Sequence, residues 1–174
     1  NAGIVPNQPA KSTQGGGPSI LGRVTSGRPS QGARIVIGGQ EKQGKTTLAA
    51  DAPRAMLVQL EVGGAVVSIP KTPLLGSFAE IMQFIDEVKA EAQAGRFEAK
   101  TLVFDTATAL EMRINDATIA ADNKGKQSME TAHGGYGKAY AYANGLFDDF
   151  LQACDELAIY GGINIVLTCH VFAA

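Results

Sequence analysis

Arg34 to Leu48, RIVIGGQEKQGKTTL, carries a phosphate-binding signature in the setting that gives it meaning. Its core, Gly39-Gln40-Glu41-Lys42-Gln43-Gly44-Lys45-Thr46, fits G-x-x-x-x-G-K-[ST] without a mismatch. The apolar run Ile35-Val36-Ile37 leads in, and Thr46-Thr47-Leu48-Ala49-Ala50 leads out with helix-forming character. The spacing therefore predicts a loop that joins a buried strand to a helix. In that setting the backbone N–H groups from Gly39 to Thr47 converge on an anion, and the first helical turn adds its unpaired donors. Lys45 supplies a mobile cation, and Thr46 offers a hydroxyl to Mg²⁺. The expected ligand is a nucleoside triphosphate.

The rest of the chain sets the frame for that loop. With 174 residues and 45% apolar side chains, it is long enough for one domain with a core. A formal net charge of -2, from 15 basic and 17 acidic side chains, excludes a general cationic field for polyanions and leaves only local patches. The two cysteines, Cys154 and Cys169, lack metal-ligand spacing and read as thiols of a reducing compartment. No run approaches a membrane span, and no basic-then-apolar leader opens the chain, so a soluble cytoplasmic protein without a membrane partner is expected. The start at Asn1 and the apolar finish Val171-Phe172-Ala173-Ala174 predict that the natural chain continues.

Residues 1–31 are rich in Gly, Pro, Ser and Gln and read as a flexible arm, interrupted by the small apolar anchor Ile20-Leu21; residues 32–174 form the core domain. Beyond the phosphate loop, Ala55 to Leu60 forms a second apolar run that ends in Glu61. Ser77-x-x-Glu80 is a capping box, and Phe78, Ile81, Met82, Phe84, Ile85 and Val88 recur at helical spacing up to a C-terminal Gly95. Thr101 to Asp105 is a third strand ending in a carboxylate, and Thr106 to about Asp122 continues as a helix. Asn123 to Gly135 reads as a loop, about Tyr136 to Leu157 as a helix, and Ile163 to Cys169 as a fourth strand ending at His170. Short apolar strands alternating with helices predict an α/β fold, a mostly parallel sheet covered on both faces.

In such sheets ligands sit beyond the C-terminal strand ends. Here those ends carry the phosphate loop, Glu61, Asp105 and His170. Hydrolysis of a triphosphate needs a phosphate cradle, Mg²⁺, a group that orients water and a group that senses the terminal phosphate. Asp105, after Leu102-Val103-Phe104, fits a Walker B acid holding Mg²⁺ largely through water. Glu61 is the candidate base, with a solvated strand-end carboxylate as the plain alternative. His170 either hydrogen-bonds a phosphate, carries its state into the following loop, or is an ordinary strand-end histidine.

These stretches together, Gly32 to Ile37 running into GGQEKQGKTTL, then LVQLEVGG, TLVFDTATAL and INIVLTCH, resemble the RecA-type ATPase core over residues 32–171. The chain is similar in particular to the short phage-encoded Sak-type recombination and single-strand annealing ATPases, in which a segment like Gly134-Gly135-Tyr136-Gly137-Lys138-Ala139-Tyr140 recurs. The resemblance implies a RecA-like P-loop core using ATP and Mg²⁺, with Lys45 and Thr46 on phosphate and metal, Glu61 activating water, Asp105 as the Walker B acid and His170 in a sensor position. It also implies single-stranded DNA as partner, assembly into a filament or ring, and a single-strand DNA-binding protein as a further candidate partner. Residues 123–138 take the place of the first DNA-binding loop. Lys124, Lys126, Lys138 and Tyr136 are its candidate contacts; the lysines could equally reach a neighbour's terminal phosphate, or sit in a solvated loop. The glycine-rich loop lacks the family's usual proline, and no second DNA-binding loop follows His170 within the chain. Two rival functions remain: a monomeric P-loop kinase of small molecules, and a module that holds ATP for assembly without turnover.

Overall fold

Four of the apolar runs pair side by side in a computed structural model, which describes residues 19, 21, 24, 31–62 and 67–171. They are β1 (Arg34–Gly39), β2 (Ala55–Gln59), β3 (Thr101–Asp105) and β4 (Asn164–His170). The sheet has the order β1-β4-β3-β2, and every pairing is parallel. Four α-helices connect and cover it: α1 (Lys45–Ala50), α2 (Phe78–Gln93), α3 (Ala107–Ala120) and α4 (Lys138–Gly161). The α/β class with a parallel sheet is thus as expected. The expected arm over residues 1–31, with its apolar anchor Ile20-Leu21, lies almost wholly outside the described residues; Leu21 is exposed.

The two faces are covered unequally. On one side α2, α3 and α4 bury the larger core, in which Ile81, Ile85, Leu102, Phe104, Leu110 and Phe150 are almost fully enclosed. Phe104 and Phe150 meet edge to face at 5.2 Å, an arrangement favoured by the ring quadrupoles. On the other side, among the described residues, α1 and the segment around Val67 and Ile69 cover Leu57, Val103 and Val166. Strand β3, central and packed from both sides, is buried at every residue.

Strand β1 departs from expectation. Predicted as buried, it is the sheet's edge among the described residues, with Ile35 46% and Val36 66% exposed. An apolar triplet reports that a strand exists but not whether a neighbour pairs with its far side. Among the described residues the sheet holds β1 through β4 alone, and the Arg34–Asp155 ion pair ties its first residue to α4.

Local signals located the other elements well. Ser77 and Glu80 form the predicted capping box, and Gly95 follows α2 at φ +70°, where a side chain would be strained. Helix α4 begins at Lys138 rather than Tyr136 and runs to Gly161 rather than Leu157. The reason for the late start is backbone sign: Gly134, Gly135, Tyr136 and Gly137 all have positive φ, so the right-handed helix cannot begin before Lys138.

Candidate nucleotide site at the strand ends

All four strand ends open into one cleft of about 560 Å³. Its walls include the loop from Glu41 to Thr47, then Glu61, Asp105, Thr106 and His170. Each part arrives from a different strand, so parallel pairing in register is what brings them together.

The loop turns at Gly44, whose φ of +77° suits glycine, and α1 starts at the next residue. Lys45 is 8% exposed, and its Nζ donates to the carbonyls of Gly39 at 2.9 Å and Gln40 at 2.7 Å. The ammonium is therefore held over the cradle by its own loop. The Gln40 N–H donates to Gln43 Oε1 at 3.1 Å.

Behind the loop, Thr46 Oγ1 donates to Asp105 Oδ2 at 3.0 Å. Asp105 is 3% exposed at the end of β3, and its other oxygen accepts a short hydrogen bond from Thr168 Oγ1. One hydroxyl and one carboxylate in contact, at the mouth of an anion cradle, form a donor set that fits Mg²⁺, a hard cation that keeps most of its water. No cluster of three or more His, Cys, Asp or Glu exists among the described residues, so a cation here would have few protein ligands. The residues present thus fit both a triphosphate and its metal.

Glu61 lies two residues beyond β2, half-exposed. Its Oε2 accepts from Thr106 Oγ1 at 3.3 Å, and its Oε1 lies 3.5 Å from His170 Nε2. His170 Nδ1 in turn lies 3.5 Å from Lys45 Nζ. Both imidazole contacts are long, at the limit of hydrogen bonding. One tautomer satisfies them together, with Nε2–H donating to Glu61 and bare Nδ1 accepting from the ammonium. The backbone N–H of His170 donates to Thr108 Oγ1 at 3.3 Å, which anchors the strand end to α3.

Two threonines in this network were not singled out from sequence: Thr108 and Thr168. Thr168 gave a faint signal as a polar residue inside the apolar run INIVLTCH, but its use depends on the register that sets it opposite Asp105.

The loop candidates lie elsewhere. None of Lys124, Lys126, Tyr136 and Lys138 lines the cleft. Buried Asp122 organises their loop, accepting from the N–H groups of Lys126 and His133, each at 3.0 Å. These backbone donors, that of Lys126 first, hold its carboxyl below the usual carboxylate range. His133 stacks on Tyr142 at 4.6 Å, and Tyr136 stands wholly exposed at φ +52°. No described helix is long and apolar enough to cross a membrane.

Residues 31–172 match a family model described as an AAA domain. No curated protein matches the chain.

Proposed function

This chain belongs to the AAA domain family, P-loop ATPase-like proteins, and from that premise we propose that it hydrolyses ATP with Mg²⁺ in DNA recombination, acting on single-stranded DNA as a homo-oligomer. The RecA-like, Sak-type motifs of the sequence support the DNA part of this reading. The observation that carries the hydrolytic part is the contact chain Glu61–His170–Lys45, which links a carboxylate able to take a proton to the cation of the phosphate cradle.

In this reading the loop N–H groups and Lys45 bind the phosphate chain, and Lys45 exchanges its carbonyl partners for phosphate oxygens. Mg²⁺, when bound, supplies charge neutralisation along the phosphates. Asp105 and Thr46 would hold it, with Thr168 fixing the carboxylate's orientation. Glu61 orients the attacking water and accepts its proton, while Thr106 and His170 hold the carboxylate in place. His170 also registers whether Lys45 is engaged by a terminal phosphate, and passes that state to α3 through Thr108.

The kinase reading lacks a guanidinium at the phosphates. Among the described residues no arginine lines the cleft; Arg96 pairs with Glu91 at 2.6 Å, and Arg113 lies 4.0 Å from Asp116. An ATP-holding module without turnover leaves the Glu61–His170 contact without a use.

ATPase rates with and without single-stranded DNA, over a salt series, test the proposal. Stimulation by DNA that falls steeply with salt is the expected result. Phosphate transfer to a nucleotide or metabolite with no DNA stimulation would replace it with the kinase reading.

A further inference from the structure

A second cleft, of about 450 Å³, lies between α3 and α4 beside the end of β4; it shares Thr108 and His170 with the network above, and the reaction leaves its interior without an occupant. Glu111 and Asn115 on α3, and Tyr140, Ala143, Asn144 and Phe147 on α4, recur at helical spacing and so place one face of each helix along it. Its volume lies in the range of small-molecule sites.

The lining chemistry is selective. Buried Ile114 and Ala143, with half-buried Phe147, form an apolar floor. Exposed Glu111, Tyr140 and Asn144 and half-buried Asn115 stand at the mouth. Among the described residues no lysine or arginine lines the cleft, the ring nitrogens of His170 face Lys45 and Glu61, and Glu111 is the cleft's one carboxylate, so an anion would meet a like charge there. Two carboxamides and a carboxylate present both donors and acceptors, and Tyr140 adds an aromatic face.

We propose that this cleft binds a nucleobase, with sugar and phosphate left outside. A planar, uncharged heterocycle offers a stacking face and an edge of mixed donors and acceptors, which the lining matches; a bare phosphate or a carboxylate metabolite offers neither. The base has two possible sources, a free nucleoside or one nucleotide of a single strand. Only the second rests on the DNA reading above. His170 belongs to the walls of both this cleft and the phosphate cleft, so an occupant sits one side chain from Lys45 and Glu61.

The cleft carries its own reporter. Half-exposed Cys169 lines it, whereas Cys154, the chain's other cysteine, is buried, with its thiol pushed up to about 12 by desolvation and then by Asp155. Maleimide labelling of Cys169 is followed by mass spectrometry in the full chain without ATP. The added probes are a free nucleoside at millimolar concentration, a single-stranded oligonucleotide, or an abasic backbone of the same length. Nucleoside or oligonucleotide should slow labelling roughly tenfold, the abasic backbone should not, and the slowing should vanish in Tyr140→Ala and Asn144→Leu. Both substituted side chains are exposed, so the core is left intact.

Protection by nucleoside alone supports the proposal and names a free nucleoside as the source; protection by the oligonucleotide names the strand. Absence of protection by either, or equal protection by the abasic backbone, overturns it. Stacking is also read without the thiol: 2-aminopurine riboside should lose emission on binding, and Tyr140→Ala should restore it. Whether DNA stimulates the ATPase is measured separately, so the two readings fail independently.

Discussion

Thr46 and Asp105, 59 positions apart in the chain, meet at 3.0 Å, hydroxyl to carboxylate, and Thr168 holds the carboxylate's other oxygen. The acid is thereby aimed at the phosphate cradle. Asp105→Asn should lower ATP hydrolysis at least about 100-fold at any Mg²⁺ concentration, because it removes the charge a hard cation needs. Thr168→Val keeps the shape but strands a buried oxygen. It should destabilise the fold by about 1–3 kcal/mol in urea denaturation and slow hydrolysis, and Thr168→Ser should recover both. Wild-type hydrolysis in Thr168→Val would show that Asp105 does not depend on this donor.

Glu61 and His170 should act as a unit. Glu61→Gln is expected to cut kcat by about 10² to 10⁴ while leaving ATP affinity intact, so that ATP-bound protein accumulates. His170→Ala should cost less alone and almost nothing further in the Glu61→Gln background, since contacting residues are not additive. Single-turnover rates on the four proteins measure the coupling. A fully additive double mutant would separate the two side chains.

Acidification should release the loop that follows α3. Asp122 has its folded pKa lowered by the Lys126 and His133 N–H groups. A lowered folded value means that its contribution is complete above the ordinary carboxylate range and is lost as the pH falls through that folded value. Protection of the Lys126 and His133 amides, taken relative to the intrinsic exchange rate at each pH, should therefore fall in acid, which reads as faster exchange than an intact loop allows. Asp122→Asn should show the faster exchange already at neutral pH; unchanged exchange in that variant would mean that the loop is held by other contacts.

Gly32 is a packing position as well as a chain entry. Its N–H donates to Ala158 O at 2.8 Å, and an added Cβ would lie 2.0 Å from the backbone oxygen of Ile163. Since backbone cannot swing aside as a side chain can, Gly32→Ala should cost about 1–3 kcal/mol. A denaturation midpoint equal to wild type would show that the segment before β1 shifts freely.

Much of this protein was legible in its sequence because the signals are local. The G-x-x-x-x-G-K-T spacing, the Ser77–Glu80 capping box and the apolar triplets depend on neighbours within a few residues, and periodicity of 2 or 3.6 records them directly. Strand ends carrying Glu61, Asp105 and His170 could be located for the same reason. What only the tertiary structure decided is who sits beside whom. The order β1-β4-β3-β2 inserts β4 between the phosphate-loop strand and the Asp105 strand, which puts His170 next to Lys45 and sets Thr168 opposite Asp105. The same order leaves β1 at the edge with Val36 exposed, and the packing of α3 on α4 opens a cleft that no motif announced. Strand pairing and helix packing join residues distant in sequence, and a linear pattern does not encode which of several equally apolar runs a strand will choose as its neighbour.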